Sequence, residues 1–190
     1  ALLGLTIALF EKPTYKAVLT FAMEEDKGGG GGGLSGALGL ASSFGIDLGG
    51  SGGGGAFAAS NLAELMKSRL LVEKVLLEPI VVNGKIISLV EYYIQINGLR
   101  EKWEKKPSLK EIQFLPSADR STFTLQQDSI LQQIHKSLID KEHLSIMQKD
   151  KKVTILSIEV TSENELFSKI FCESIAKETS DFYIEAKSKK

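Results

Sequence analysis

The chain opens with ALLGLTIALF (1–10), EKP (11–13) and TYKAVLTFAMEE (14–25). Ala1 to Phe10 is uncharged and almost wholly apolar, and Glu11-Lys12-Pro13 stops it abruptly. From Tyr15 the side chains alternate: Tyr15, Ala17, Leu19, Phe21 and Met23 fall on one side, Lys16, Val18, Thr20, Ala22 and Glu24 on the other. Period two over such a length predicts a half-buried strand. Pro13 has no backbone N–H to give to a ladder, so it belongs before the strand. Residues 1–12 read as the end of a membrane helix and its border, and 13–190 as one domain standing on that membrane. Ten apolar residues do not span a bilayer, which takes roughly 20, so a buried segment is the competing reading of residues 1–10. The chain begins at Ala1, and a partial or processed chain is expected.

Working outward, 190 residues suffice for one domain with a sizeable core. Lys plus Arg number 23 against 24 Asp plus Glu, so there is no basic surplus to suggest nucleic acid as a partner. Cys172 is the sole cysteine and has no internal disulfide partner. Between residues 27 and 56 lie most of the chain's 18 glycines, including the unbroken run Gly28 to Gly33. Such runs lose much backbone entropy on ordering, so a flexible insertion is expected. Leu34, Leu38, Leu40, Phe44, Ile46 and Leu48 inside it suit packing on a neighbouring subunit or a membrane surface. A phosphate-binding loop is disfavoured, because the G-x-x-x-x-G-K-[ST] spacing is absent.

Helix signals follow. Asn61 and Glu64 have capping-box spacing before the apolar face Leu62, Leu65, Met66, Leu70, Val72, Val75 and Leu76, with Lys67, Arg69, Glu73 and Lys74 on the polar side. Asn83-Gly84 marks a tight turn. Ser88 with Glu91 opens a helix through Leu89, Tyr92, Tyr93, Ile96, Leu99 and Trp103, with Gly98 as a point of bending and Pro107 as its end. Residues 107–120 read as a connection, with an extended piece at 112–115. Thr124 and Gln127 open another helix, lined by Ile130, Leu131, Ile134, Leu138 and Ile139. Leu144 to Met147 and Val153 to Val160 read as a hairpin whose second strand, apolar on both faces, is central. Ser162 and Glu165 then open one long helix with the stripe Phe167, Ile170, Phe171, Ile175, Phe182 and Ala186. The fold class is α+β: a small mixed sheet packed by helices, with a long C-terminal helix and a glycine-rich insertion. Tyr15 to Glu24 is expected in the same sheet as the hairpin.

Chemistry is sparse. His135 and His143 have no Cys or acidic cluster around them that would make metal ligands. Cys172 sits beside Phe171 as a small hydrophobe rather than a nucleophile. Asp119, Asp128 and Asp140 show no paired-carboxylate spacing. Arg69 is the one charge close to an apolar helix face, either buried and paired or snorkelling. No catalytic, cofactor-binding or metal-binding residue is therefore assigned, and no cofactor is expected.

The order of elements nevertheless resembles a known family. A membrane-helix end runs into P-T-Y-K-A (13–17) and a strand, followed by N-L-A-E-L-M-K-S-R-L-L-V-E-K-V-L (61–76). The strand V-T-I-L-S-I-E-V (153–160) and the helix S-E-N-E-L-F-S-K-I-F-C-E-S-I-A-K-E (162–178) come later. This is similar to the periplasmic region of the Wzz-type chain-length determinants, the polysaccharide co-polymerases, and the glycine-rich insertion is similar to that of Bacteroidetes members. The resemblance covers most of the chain and rests on order and spacing more than on any single motif. It implies an inner-membrane protein whose periplasmic α+β domain assembles into a homo-oligomer. It implies a non-catalytic role: setting the length of a surface polysaccharide, lipopolysaccharide O-antigen or capsule, by acting with a polymerase and the growing glycan. It also leaves open the extracytoplasmic domain of a capsule-export tyrosine kinase. An unrelated periplasmic binding domain is the remaining alternative.

Overall fold

The computed structural model describes residues 13–22, 59–148 and 155–188, with side chains to residue 185. The membrane-helix end and border 1–12, the whole insertion 27–56 and the turn between the last two strands lie outside the described residues. Strand β1 (Tyr15–Ala22), β4 (Leu144–Gln148) and β5 (Ile155–Ser162) form one sheet in the order β1-β5-β4. Both pairings are antiparallel, with Leu19 opposite Ile158 and Ile146 opposite Ile158 on the other side. The sheet expected to be mixed is therefore antiparallel throughout its described strands. β5 takes the centre because Leu156, Ile158 and Val160 are fully buried on one face while Ser157 and Glu159 are buried on the other. Ala17, Leu19 and Phe21 of β1 join the core from the same face, and Val18 on the opposite face is exposed. The alternation in residues 15–22 thus decides which face packs.

Helix α1 (Ala59–Lys67) is followed at once by α2 (Arg69–Leu76), so the single helix expected from Asn61 is two. Ser68 is the break. Its backbone is extended, and its Oγ accepts from Leu71 N at 3.3 Å. A serine hydroxyl satisfies an orphan N–H better as a cap than in a helix interior. Asn61 lies within α1 rather than capping it. Hairpin β2 (Pro79–Val82) and β3 (Lys85–Ser88) closes through Asn83 and Gly84 at φ 50° and 74°. That turn needs both central residues left-handed, which Asn-Gly supplies at little cost.

Ser88 caps α3 (Leu89–Ile96) by accepting from Glu91 N. The chain then breaks rather than bends: Gly98, at φ 56°, separates α3 from the short α4 (Leu99–Trp103). Pro107 begins the one-turn helix α5 (Pro107–Lys110), using the first-turn position where its missing N–H costs nothing. No strand forms at 112–115; Phe114 there is buried in the core. A 3-10 turn (Arg120–Thr122) leads to α6 (Leu125–Asp140), whose capping box between Thr124 and Gln127 is complete. The final helix α7 (Glu165–Ser188) is capped by Asn164, not Ser162: Asn164 Oδ1 accepts from Phe167 N at 2.9 Å. Tyr92 Oη donates to the same oxygen at 3.1 Å and holds the cap in place. Phe167 and Phe171 stack at 5.4 Å, and Tyr93 meets Phe167 at 5.3 Å, so the aromatic residues form core.

Candidate functional site

α2 places two charged clusters on either side of one cavity. On the first side, Arg69 opens α2 and Glu73 follows one turn later, the spacing that lets the two side chains meet. Glu73 is completely buried, a correction to its place on the polar face. Its Oε1 accepts from Arg69 Nε at 2.5 Å, and its Oε2 lies 2.7 Å from Arg120 Nε. Asp128 Oδ1 closes the ring, 2.8 Å from both Arg69 Nη2 and Arg120 Nη2. Two guanidinium groups and two carboxylates thus compensate each other and tie α2 to α6 and the 3-10 turn. The arginine hydrogen bonds, that to Arg69 foremost, hold the Asp128 carboxyl below the usual aspartate range.

On the second side stand Glu78, just beyond α2, and Glu178 of α7. Ser174 Oγ donates to Glu78 Oε2 at 2.6 Å, and Lys74 Nζ forms an ion pair with Glu178. Burial, followed by the neighbouring Glu178, raises the Glu78 carboxyl above its ordinary range, while the Ser174 hydroxyl pulls the other way. Between the clusters lies a cavity of about 620 Å³, bounded by α1, α2, residues 117–120 and the far half of α7. Leu65, Leu70, Leu77 and Phe182 give it apolar walls.

Of the residues singled out in the sequence, the structure brings together Arg69 and Asp128. The others serve structure. His135 Nε2 donates to the carbonyl of Lys67 at 2.9 Å, satisfying the end of α1, since a carbonyl oxygen can only accept. His143 Nδ1 donates to Thr161 O at 3.0 Å and fastens the entrance of β4 to β5. Asp119 caps the 3-10 turn, accepting from Ser121 N at 2.8 Å. Asp140 is exposed, with Lys136 Nζ 4.0 Å away. Cys172 is buried, with its Sγ 3.6 Å from Ile158 O, and burial followed by the adjacent Glu173 charge pushes its thiol up to about 11. A thiol so placed is not a nucleophile at neutral pH. No group of His, Cys, Asp and Glu side chains among the described residues is arranged to hold a metal ion.

Glu73, Arg120, Glu78 and Glu178 were not legible as site residues. The Arg69–Glu73 spacing was a usable signal; Arg120 and Glu178 reach their partners from far along the chain. Arg100 Nη2 donates to both carboxylate oxygens of Glu91, at 2.7 and 2.6 Å, and Glu91 Oε1 also accepts from Phe114 N. Glu91 thereby organises the 98–114 region instead of returning to its own helix cap. No helix among the described residues is long and apolar enough to cross a membrane. No family model matches the chain, and no curated protein and no solved structure matches it either.

Proposed function

We propose that the chain is the periplasmic domain of an inner-membrane regulator of surface polysaccharide chain length, acting by assembly rather than catalysis. One observation carries the reading. β1 and α7 begin at the same end of the sheet, where Ser168 Oγ of α7 donates to Tyr15 O at 3.0 Å. α7 then runs back along β5 for 24 residues, about 36 Å at the α-helical rise, past a strand of 8 residues and about 26 Å. If residues 1–12 carry β1 up from a membrane, α7 starts at that membrane and rises beyond the sheet, as a scaffold arm shared between subunits requires. The histidines, the cysteine and the isolated aspartates all have structural partners, which supports a role without bond-making chemistry.

Deleting the gene should leave the polysaccharide in normal amount with an altered length distribution on gels. Loss of the polymer, or an unchanged distribution, would contradict the proposal. A second reading, a periplasmic binding domain, is favoured by the cavity with its Glu78 and Glu178 carboxyls. Under that reading a Phe182→Ala variant would lose function while still assembling normally. The extracytoplasmic domain of a capsule-export kinase shares the first reading's geometry, and a nucleotide-binding motif elsewhere in the parent protein would distinguish it.

A further inference from the structure

The dipeptide Asn-Gly occurs twice, at 83–84 and 97–98, and the fold treats the two copies differently. In such a pair the glycine nitrogen can reach the side-chain carbonyl carbon of the asparagine, and no Cβ on the glycine obstructs it. Asn83 and Gly84 form the exposed tip of the β2–β3 hairpin, at φ 50° and 74°. Space around Gly84 is open: a Cβ built there would meet nothing within 4 Å. Among the described residues the Asn83 carboxamide has no hydrogen-bond partner, and the Gly84 N–H bonds to no backbone carbonyl. β2 and β3 form a two-stranded sheet of their own, a type that opens locally at small cost. Asn97 is held instead. Its Nδ2 donates to Tyr93 O at 2.8 Å, and Gly98 N donates to Gln95 O at 3.1 Å. Attacking nitrogen and leaving group are thus both engaged at the end of α3.

We propose that Asn83 is a site of spontaneous covalent self-modification, with water as the co-reactant, and that the fold spares Asn97. Opening of the hairpin frees Asn83 to reach the attack geometry. The Gly84 main-chain nitrogen gives its proton to solvent base and attacks Asn83 Cγ. The N–Cγ bond forms, the Cγ–Nδ2 bond breaks, and Nδ2 takes a proton from solvent and leaves as ammonia. Water then opens the resulting cyclic imide. Addition at Cγ breaks the N–Cγ bond and leaves aspartate. Addition at the main-chain carbonyl carbon breaks the peptide bond to Gly84 and leaves isoaspartate, with the chain running through Cβ. Overall ammonia is lost and water gained, with no change of oxidation state. The isoaspartyl chain is one carbon longer, and a turn built on two left-handed residues has no place for it. Val82 and Lys85 then lose their register. The hairpin joins α2 to Ser88, the cap of α3, and buries Ile80, so the change reaches the core. This chemistry is independent of any role in assembly.

The full-length protein is held in mildly alkaline buffer, native or in denaturant, and sampled over days. Trypsin cuts after Lys74, Lys85 and Arg100, so Asn83 and Asn97 fall in separate peptides, 75–85 and 86–100. Mass spectrometry reads the exchange of NH2 for OH in each. Both asparagines follow a β-branched residue, Val82 and Ile96, so in denaturant they should convert at similar rates. In the native protein Asn83 should convert at least about tenfold faster than Asn97, a barrier difference of about 1.4 kcal/mol. Native conversion of Asn97 as fast as that of Asn83, or none at Asn83, would overturn the proposal. A tenfold preference that persists in denaturant would assign it to sequence and overturn the part given to the fold. The isoaspartyl product, separated by ion exchange, should melt below an Asn83→Asp variant, which carries the same charge on an ordinary chain. Equal midpoints would overturn the loss of register.

Discussion

Ser168 Oγ donates to the carbonyl oxygen of Tyr15, joining residues 153 positions apart. Ser162 Oγ stands 2.7 Å from Ser168 Oγ and 2.8 Å from the carbonyl oxygen of Asn164, and a hydroxyl has one proton, so that proton is shared between the two acceptors. Asn164 N donates in turn to Ser162 Oγ at 3.1 Å. The relay fixes the start of β1 against the start of α7. Ser168 is buried while Tyr15 is partly open to water. Ser168→Ala should therefore cost about 1 kcal/mol, measured by urea unfolding. An unchanged midpoint would remove the relay from the account.

Glu73 is the buried hub of the α2–α6 contact. Glu73→Ala leaves Arg69 and Arg120 facing a hole, and uncompensated buried charge costs about 3–5 kcal/mol. The arginine side chains remain 34% and 38% exposed, so water recovers part of that and the low end is expected. Thermal unfolding checks this. Asp128→Asn should cost less, and its effect should disappear on acidification. A carboxyl whose folded pKa is lowered contributes stability above its unfolded pKa and loses that contribution as pH falls through the folded one.

Glu78 behaves in the opposite sense. Its carboxyl is raised on folding, first by burial and then by Glu178. Its contribution is complete below the unfolded pKa and is lost as pH rises through the raised folded value. Glu78→Gln keeps an oxygen for Ser174 Oγ and removes the charge. The variant should melt above the wild type at neutral pH and level with it near about pH 4. A variant less stable at neutral pH would show that the charged form is the favoured one.

Cys172 should resist thiol reagents. It is 2% exposed, and its thiol sits at about 11. Maleimide labelling at neutral pH should be negligible in the native protein and complete in denaturant. Rapid native labelling would mean that α7 separates from β5 readily.

The sheet was legible because alternation survives without tertiary context: Ala17, Leu19 and Phe21 against Leu156, Ile158 and Val160 specify both faces and the central strand. Asn83-Gly84 was equally plain, since few other pairs adopt two left-handed residues. The helix breaks were not. Ser68 lies in an unbroken apolar period, and only the cap it makes to Leu71 shows that two helices meet there. Gly98 was visible as weak but not as a stop. Glu73 was misplaced because periodicity assigns charge to the outside, and its burial depends on Arg120, brought close only by the fold. The cavity arises where α2 meets the far half of α7, and no local pattern encodes that meeting.

Absence of catalysis is the central claim, and complementation tests it most directly. A strain lacking the parent gene receives the gene carrying His135→Gln, His143→Gln and Cys172→Ala together. The length distribution of the surface polysaccharide is then read on gels, with folding and assembly verified in parallel. The account expects the wild-type distribution to return. A folded, assembled variant that leaves the distribution at that of the deletion strain would contradict it.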